Sequence, residues 1–180
     1  VASLEYLLHF DIDKRNFTIV DVDEDGHKLQ QYNRLLFCDS KKRIWAGGEM
    51  GISVFNQVGT SLLPNTDFQI ASVLKQAFVN CFYETSSGYL WIGTRNGLFA
   101  LKESDKQFLQ YTTENGLPSN VIYGILEDAY GRLWISTNQG LSCLNPESGK
   151  FRNFTIMDGL QGNQFNAGAY CRKDNGYMLF

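Results

Sequence analysis

The sequence predicts an all-β protein, a β-propeller-type array of four-stranded antiparallel blades. A tryptophan recurs in three similar phrases, at Trp45, Trp91 and Trp134, with spacings of 46 and 43 residues. Around each tryptophan, short apolar segments rich in β-branched and aromatic residues alternate with glycine-containing turns. A repeat of this length built from four short strands is typical of propeller blades, whereas solenoid repeats are usually shorter. Helical repeats are not favoured, because the segments lack a sustained helical period.

The third repeat shows the four strands most clearly. Its strand-like segments NVIYGILED, LWIS, LSCL and FRNFT are separated by the turns AYGR, TNQG and NPESGK. The second repeat follows with VNCFYE, YLWIGT, LFAL and FLQYT, and its Asn96-Gly97 pair predicts a tight hairpin because both residues tolerate positive φ. In the first repeat, RLLFCD, IWAGG and ISVF predict three strands. Its fourth strand lies somewhere after Asn56, residues 59–76 look like an insertion, and LKQAF suggests a helical turn.

Two positions recur in register with each tryptophan. A glycine follows it by six residues, at Gly51, Gly97 and Gly140. An Asp or Thr precedes it by six residues and opens the first turn, at Asp39, Thr85 and Asp128. We expect the glycines to hold a backbone conformation that a Cβ would disfavour. We expect the three tryptophans to be structural residues packed between adjacent sheets, rather than residues that stack on a ligand.

Both ends of the chain look like parts of a repeat. YLLHFDIDKRNFTIVD near the start aligns with the third and fourth strands, and QFNAGAYCRKDNGYMLF at the end aligns with the first and second. We therefore predict a single propeller segment, a fragment of a larger propeller, with half-blades at 1–31 and 164–180 and blades at 32–78, 79–120 and 121–163. Such a segment either closes a ring, alone or as a homodimer, or remains an open arc whose edges invite strand pairing.

Composition excludes several classes of protein. The formal net charge is −3 and the basic residues are dispersed, so no nucleic-acid footprint is present. No apolar run approaches the about 18 residues of a membrane-spanning helix, so we expect no membrane contact by this chain. No signal peptide is visible, which indicates either a cytosolic chain or a piece of a longer, exported protein.

No catalytic or metal-binding motif stands out. The four cysteines lack close-pair spacing, so free thiols are expected, with a disulfide or metal site as the alternative. His9 and His27 lie outside any metal-ligand spacing. The acidic turn DVDEDG lacks the downstream glutamate of a calcium loop. We therefore expect no catalytic residue, no metal and no cofactor.

Two longer phrases carry a family resemblance. LEDAYGRLWISTNQGLSCLNPESGKFRNFTIMDGLQGN, and LWIGTRNGLFAL followed by YTTENGLPSNVI, resemble two-component regulator propeller repeats. The resemblance covers residues 32–180, and residues 164–180 look like the blade that closes the propeller region before an immunoglobulin-like module. The first repeat departs from the pattern, because Lys42 occupies the position of a turn glycine.

The resemblance implies a function in signalling. Such repeats build the extracytoplasmic, periplasmic sensor region of hybrid two-component histidine kinases and response regulators in the inner membrane. It implies that the chain senses a glycan-derived oligosaccharide and relays the signal to a kinase outside this chain, together with the remaining blades. A protein-interaction scaffold without a small-molecule ligand is the alternative. A propeller lyase or hydrolase is a third hypothesis. It would need His or carboxylate groups that converge on the inner strands, and the inner strands VNCFYE and NVIYGIL supply almost none.

Strand alternation predicts where a ligand would bind. The turn between the second and third strands and the link between blades lie at the same end of each blade. That end gathers the predicted ligand-binding residues Arg95, Asn96, Asn120, Tyr123, Asn138 and Gln139, with Asn115, Ser119 and Asn163 nearby. Amide and guanidinium groups suit sugar hydroxyls and uronate carboxylates, and Tyr123 could supply an aromatic platform. The alternative is that these residues cap turns and fix blade geometry.

Overall fold

The described part of the chain consists mostly of antiparallel strands. The computed structural model describes residues 7–11, 14–20, 33–58, 61–65, 67, 69–102 and 107–180. The chain divides into two compact units, residues 1–79 and 80–180. The acidic turn at 21–26 and His27 lie outside the described residues.

The first unit contains a two-stranded and a four-stranded antiparallel sheet. Strands β1 (Leu7–Asp11) and β2 (Asn16–Val20) form the smaller sheet. The first four-stranded sheet is the meander β3 (Asn33–Cys38), β4 (Arg43–Gly48), β5 (Gly51–Val58) and β6 (Ser61–Pro64).

The region expected to be an insertion contains regular structure. It supplies the fourth strand β6, followed by the short helix α1 (Gln69–Val73). The helical turn suggested at residues 74–78 was placed too late, because the helix ends at Val73 and Leu74–Gln76 form a turn. A five-residue helix is too short to show an apolar period, which explains the error.

The second unit contains two four-stranded sheets and a final pair of strands. The second sheet is β7 (Val79–Glu84), β8 (Leu90–Thr94), β9 (Gly97–Lys102) and β10 (Gln107–Tyr111). The third sheet is β11 (Ile122–Glu127), β12 (Leu133–Thr137), β13 (Gly140–Asn145) and β14 (Lys150–Phe154). The final pair is β15 (Cys171–Arg172) and β16 (Met178–Leu179).

The core of the second unit lies between its two four-stranded sheets. Its buried members are Cys81, Trp91, Leu98, Ala100, Leu117, Ile122, Ile125, Leu133, Ile135 and Leu144. The two sheets approach closely at Gly93 of β8, where there is no room for a side chain. A Cβ added at this position would collide with Cys81 and would lie 2.7 Å from Ile122 Cγ2. Burial of this apolar face is the main stabilising term for the pair of sheets. Trp45 and Trp91 are fully buried, whereas Trp134 is half-buried and stacks on Phe154 at 5.4 Å.

An aspartate opens the first turn of the third sheet and fixes the tryptophan that follows. The Asp128 carboxylate accepts hydrogen bonds from the backbone N–H groups of Tyr130 (2.9 Å) and Arg132 (3.0 Å). It also accepts from Arg132 Nε (2.7 Å) and from the indole Nε1 of Trp134 (3.0 Å). Burial alone would raise the pKa of the Asp128 carboxyl, but the donated hydrogen bonds of Trp134, Arg132 and Tyr130 together lower it.

The first sheet repeats this network. Asp39 accepts from the backbone N–H groups of Lys41 (3.0 Å) and Arg43 (2.8 Å), from Arg43 Nε (2.6 Å) and from Trp45 Nε1 (2.9 Å). Its pKa is lowered as well: burial opposes the shift, and the bonds from Trp45 and Arg43 overcome it. The two sheets thus use one device to join the first turn to the tryptophan.

The second sheet lacks this device. Thr85 stands in the position of the aspartate and Tyr89 in the position of the arginine. The Thr85 hydroxyl donates to the carbonyl of Tyr89 at 3.2 Å, so it closes the turn locally. The indole Nε1 of Trp91 is buried and has no hydrogen-bond partner.

Lys42 takes the left-handed backbone conformation that glycine takes in the other two sheets. Its φ is 62°, whereas Gly88 and Gly131 at the equivalent turns have φ of 80° and 73°. A side chain disfavours this region, and lysine lacks the short polar side chain with which Asn or Asp compensates. Lys42, where the first repeat departs from the family pattern, therefore introduces local backbone strain into a turn that is otherwise equivalent to the other two.

We expect Lys42→Gly to stabilise the protein by about 0.5–1 kcal/mol, because the relief of left-handed strain exceeds the added freedom of the unfolded chain. Urea unfolding measures the change. The reverse substitution Gly131→Lys is the matched control and should destabilise by a similar amount. A loss of stability in Lys42→Gly would contradict this account of the turn.

We expect the Asp128 network to make stability depend on pH. The folded-state pKa of Asp128 lies below its unfolded value of about 3.9, so the stabilisation is complete above that value and is lost as pH falls through the folded pKa. Asp128→Asn should lower the free energy of unfolding by about 1–2 kcal/mol at neutral pH. The difference from the unsubstituted protein should shrink between about pH 5 and about pH 2 in urea titrations.

Asp174→Asn, in an exposed turn, is the control for a simple change of net charge and should follow the unsubstituted protein. A deficit of Asp128→Asn that stays constant down to about pH 2 would show that the network does not act through the carboxylate charge.

Candidate functional site

The predicted ligand-binding residues lie at one end of the two sheets of the second unit, here termed the link end. This end carries the β8–β9 turn, the β12–β13 turn and the links that follow β10 and β14. Arg95 and Asn96 are exposed in the β8–β9 turn. The buried hydroxyl of Thr94 fixes this turn, because it accepts the N–H of Asn96 (2.9 Å) and donates to the carbonyl of Gly97 (2.8 Å).

The β12–β13 turn of the third sheet has the same construction. The Thr137 hydroxyl accepts the N–H of Gln139 (3.0 Å) and donates to the carbonyl of Gly140 (2.8 Å). Gln139 is exposed, whereas Asn138 is half-buried. The side-chain Oδ1 of Asn138 is buried without a hydrogen-bond partner.

Asn120 lies beside the β8–β9 turn and holds the link in place. Its Oδ1 accepts the N–H of Thr113 (2.8 Å), and its carbonyl accepts the N–H of Gly97 (2.8 Å). Asn163 does the same in the next link, with Ile156 N–H (2.8 Å) and Gly140 N–H (2.6 Å). The amide oxygens of these two asparagines are therefore engaged in the scaffold.

The other residues expected near this end also contact the backbone. Asn115 Oδ1 accepts the N–H of Thr112, and Ser119 Oγ accepts the N–H of Val121. Tyr123 occupies an irregularity of β11 and is half-buried. The structure thus brings Arg95, Asn96 and Asn120 to one turn and Asn138, Gln139 and Asn163 to the next. Ligand contact by these side chains stays a prediction.

We expect Gly97→Ala to destabilise the protein by more than about 2 kcal/mol. Gly97 has φ of 118°, and an added Cβ would lie 2.6 Å from the carbonyl oxygen of Tyr111. The matched control is Gly131→Ala, which has a positive φ but open space around it, and should cost only about 1 kcal/mol. Equal losses in thermal or urea unfolding would show that the close approach adds nothing to the backbone strain.

A cavity of about 270 Å³ lies at the opposite end of the second unit, between the second and third sheets. Its wall on the second sheet follows a row of paired residues. Trp91 pairs with Ala100, and Ala100 pairs with Leu109, so the three side chains share one face. Ala100 is small, which leaves a hollow between its larger neighbours. Tyr111 extends the wall and stacks on Trp91 at 5.9 Å.

The wall on the third sheet is polar and comes from the end of β11 and from two turns. Tyr130, Gly131 and Arg132 belong to the β11–β12 turn, Asn145 ends β13, and Pro146 and Glu147 belong to the β13–β14 turn. Arg132 is paired with Asp128 at 2.7 Å and lies over the ring of Tyr130 at 5.2 Å. Tyr130 is 84% exposed, so the cavity opens to solvent on this side.

Glu127 joins the two walls. Its Oε1 accepts from Ser86 Oγ (3.0 Å) and its Oε2 accepts from Ser86 N–H (3.0 Å), across 41 residues of sequence. The side chain is buried, with 7% of the residue exposed. Among the residues that the structure describes, no Lys, Arg or His forms an ion pair with this carboxylate. The cavity therefore contains a buried carboxylate with only neutral donors.

The sequence patterns did not predict a ligand site at this cavity. None of the six predicted ligand-binding residues lines it, and all of them lie nearer the link end. One signal was available, because the second repeat replaces the Asp and Arg of the other two repeats by Thr85 and Tyr89. The cavity lies beside that altered turn, whose Ser86, Ser87 and Tyr89 contribute to its lining.

The described residues offer few groups for metal binding or for thiol chemistry. No group of three or more His, Cys, Asp or Glu side chains there could hold a metal ion. All four cysteines are free thiols. Burial raises the pKa of the Cys81 thiol to about 12, so this cysteine remains protonated at neutral pH.

Comparison with known families identifies the repeats. Residues 74–96 and 116–139 match the family model described as two component regulator propeller. The first match covers β7 and β8, and the second covers the link with β11 and β12. These two segments match two-component regulator propeller repeats, and the resemblance that the sequence predicted is confirmed.

Solved structures show the same fold. The extracellular domain of the putative hybrid two component system BT3049 from B. thetaiotaomicron is 23% identical, with a TM-score of 0.72 over 89% of this chain. The extracellular domain of BT4673 from the same organism is 18% identical, with a TM-score of 0.76 over 98% of this chain. Virginiamycin B lyase from Staphylococcus aureus is 18% identical, with a TM-score of 0.57 over 79% of this chain and 46% of the lyase.

These likenesses confirm the prediction of a β-propeller-type array of four-stranded blades. The chain spans 22% and 23% of the two B. thetaiotaomicron domains, so it corresponds to about a fifth of them. No curated protein matches the chain. In the described ranges, no helix has the length and apolar character needed to cross a membrane.

Proposed function

We propose that this chain is a segment of the periplasmic sensor region of a membrane-bound two-component receptor and that it binds a glycan-derived oligosaccharide. The observation that carries the proposal is the cavity between the second and third sheets. Its aromatic wall and its hydroxyl, amide and carboxylate groups are the side chains with which proteins hold sugars. The two sheets that form it are the ones whose sequences match the two-component regulator propeller model.

The proposal assigns signalling steps to parts of the receptor outside this chain. Binding would change the relative stability of two arrangements of the sensor, and the remaining blades would pass that change to a kinase. In this proposal, residues 32–78, 79–120 and 121–163 are successive blades, and the half-blades at 1–31 and 164–180 are completed by neighbouring blades or by a second copy of the chain. No catalytic step is assigned to the chain.

The link end is the second place where a ligand could bind in this proposal. The exposed side chains of Arg95, Asn96 and Gln139 extend from turns that the scaffold holds rigidly. A rigid turn loses little entropy when it binds a ligand. Residues of this end would contact the parts of an oligosaccharide, or a second ligand, that the cavity does not enclose.

A protein-interaction scaffold is the second candidate function, and one surface feature favours it. Ile156 and Met157, in the link after β14, are 54% and 90% exposed. Adjacent exposed apolar residues of this kind are a feature of protein contacts. In this case the chain would hold a partner protein and would have no small-molecule ligand of its own.

Saturation-transfer NMR of the 180-residue chain with neutral and acidic oligosaccharides tests the proposal. We expect saturation transfer for at least one sugar, and we expect Leu109→Trp to weaken it about tenfold because Leu109 is half-exposed at the cavity and a larger ring would fill the space. Asn96→Ala, at the link end, is the control and should leave binding within about twofold.

Two outcomes would change the conclusion. A loss of binding in Asn96→Ala but not in Leu109→Trp would move the ligand to the link end. A chain that binds no sugar but captures a protein partner, with Met157→Asp abolishing capture, would replace the sensor function by the scaffold function.

A further inference from the structure

We propose that the cavity between the second and third sheets takes a neutral sugar ring, which Glu127 holds by accepting hydrogen bonds from adjacent hydroxyl groups, and that it rejects uronates. This inference rests on the proposed function and narrows it to one class of ligand. It follows from the charges and the hydrogen-bond capacity of the residues around the cavity.

Glu127 has hydrogen-bonding capacity that the protein does not fill. A carboxylate offers about four acceptor sites on its two oxygens, and Ser86 supplies two donors, one to each oxygen. A buried carboxylate is costly unless further donors or a cation complete its surroundings. Two adjacent sugar hydroxyls supply two more donors at a spacing that matches the two carboxylate oxygens.

The charges around the cavity disfavour an acidic ligand. Glu127 and Glu147 both line it, so a uronate would bring a third carboxylate into a partly dry site. Arg132 is the cation in the lining, and Asp128 already holds its Nε at 2.7 Å. A uronate would therefore meet the repulsion of two carboxylates, and Arg132, whose charge Asp128 already offsets, would compensate only part of it.

Two aromatic faces of the cavity are already next to cations of the protein. Lys102 Nζ lies 5.0 Å from the centre of the Tyr89 ring, and the Arg132 guanidinium lies 5.2 Å from the centre of the Tyr130 ring. These cations offset the attraction of Glu127 and Glu147 for an ammonium group. A neutral ligand with many hydroxyl groups fills the open acceptor sites of Glu127 without bringing a charge next to either set.

Shape and the apolar wall favour a single ring. The volume of about 270 Å³ lies just below the range for small-molecule sites, which begins near about 300 Å³, so the cavity has room for one ring. Tyr111, which stacks on the buried Trp91, and the half-exposed Leu109 form an apolar wall against which the C–H face of a sugar ring can pack. Leu109 and Tyr130 are exposed at the cavity, so the rest of a longer glycan can extend into solvent.

The altered turn of the second sheet explains why this space exists. In the other two sheets, an aspartate and an arginine occupy the first turn and the tryptophan Nε1 donates to the aspartate. With Thr85 and Tyr89 at these positions, Trp91 Nε1 has no acceptor. The region beside Trp91 thus has one buried donor without a partner as well as the incompletely bonded carboxylate of Glu127.

The test is saturation-transfer NMR of the 180-residue chain at neutral pH with methyl glycosides of glucose, galactose, mannose and xylose, beside methyl glucuronide, galacturonic acid and glucosamine. We expect a neutral glycoside to bind more tightly than any of the charged sugars. Glu127→Gln should weaken that binding about tenfold or more, the loss expected for one hydrogen bond to a charged acceptor. It should also improve binding of the uronates, because it removes the repelling charge.

Glu114→Gln is the matched control, since this exposed glutamate does not line the cavity and should change neutral-sugar binding by less than about twofold. Urea unfolding verifies that Glu127→Gln remains folded. If it does not, Leu109→Trp provides the same test by filling the cavity from its exposed side, and it should weaken neutral-sugar binding about tenfold.

The possible results separate this inference from the function on which it rests. Uronates that bind more tightly than neutral sugars, with binding unaffected by Glu127→Gln and lost in Arg95→Gln, would overturn the inference and leave an oligosaccharide sensor. Neutral-sugar binding that survives both Glu127→Gln and Leu109→Trp would also overturn it. Absence of binding for every sugar would overturn the proposed function itself.

Discussion

The arrangement of turn and tryptophan in a sheet depends on the hydrogen bonds that the aspartate at the start of the first turn accepts. Asp39 and Asp128 each accept two backbone N–H groups, one arginine Nε and one indole Nε1. One carboxylate therefore closes a turn and sets the orientation of the tryptophan two residues after the arginine. Where Thr85 replaces it, the turn still closes, but Trp91 loses its acceptor and the cavity lies beside the altered turn.

The scaffold uses the polar groups at the two ends of the second unit differently. At the link end, backbone bonds from Gly97 and Gly140 to the carbonyls of Asn120 and Asn163 join each hairpin to the following link. The side-chain oxygens of these two asparagines accept hydrogen bonds within the protein. At the other end, Glu127 keeps acceptor capacity, and the paired row of Trp91 and Ala100 leaves space. A ligand gains most where polar groups lack partners.

Local chemistry made most strands predictable. The second and third repeats alternate strand-forming residues with turn residues, and the strands lie where those segments predicted them. The first repeat was harder, because β6 is four residues long and ends in Pro64, and α1 is too short to show a period. The turn at Lys42 was predicted from its register with the turn glycines of the other repeats, although its left-handed backbone is one that sequence patterns assign to glycine.

The repeat, the strand order within each sheet, the turns and the family resemblance could be inferred from the amino-acid sequence, because they depend on residues near one another in the chain. The position of the cavity could not, because it depends on contacts between separate sheets. Glu127 meets Ser86 across 41 residues, and the cavity exists only because the second and third sheets pack face to face. Such contacts depend on which side chains two separate sheets present to each other, and no local period encodes that.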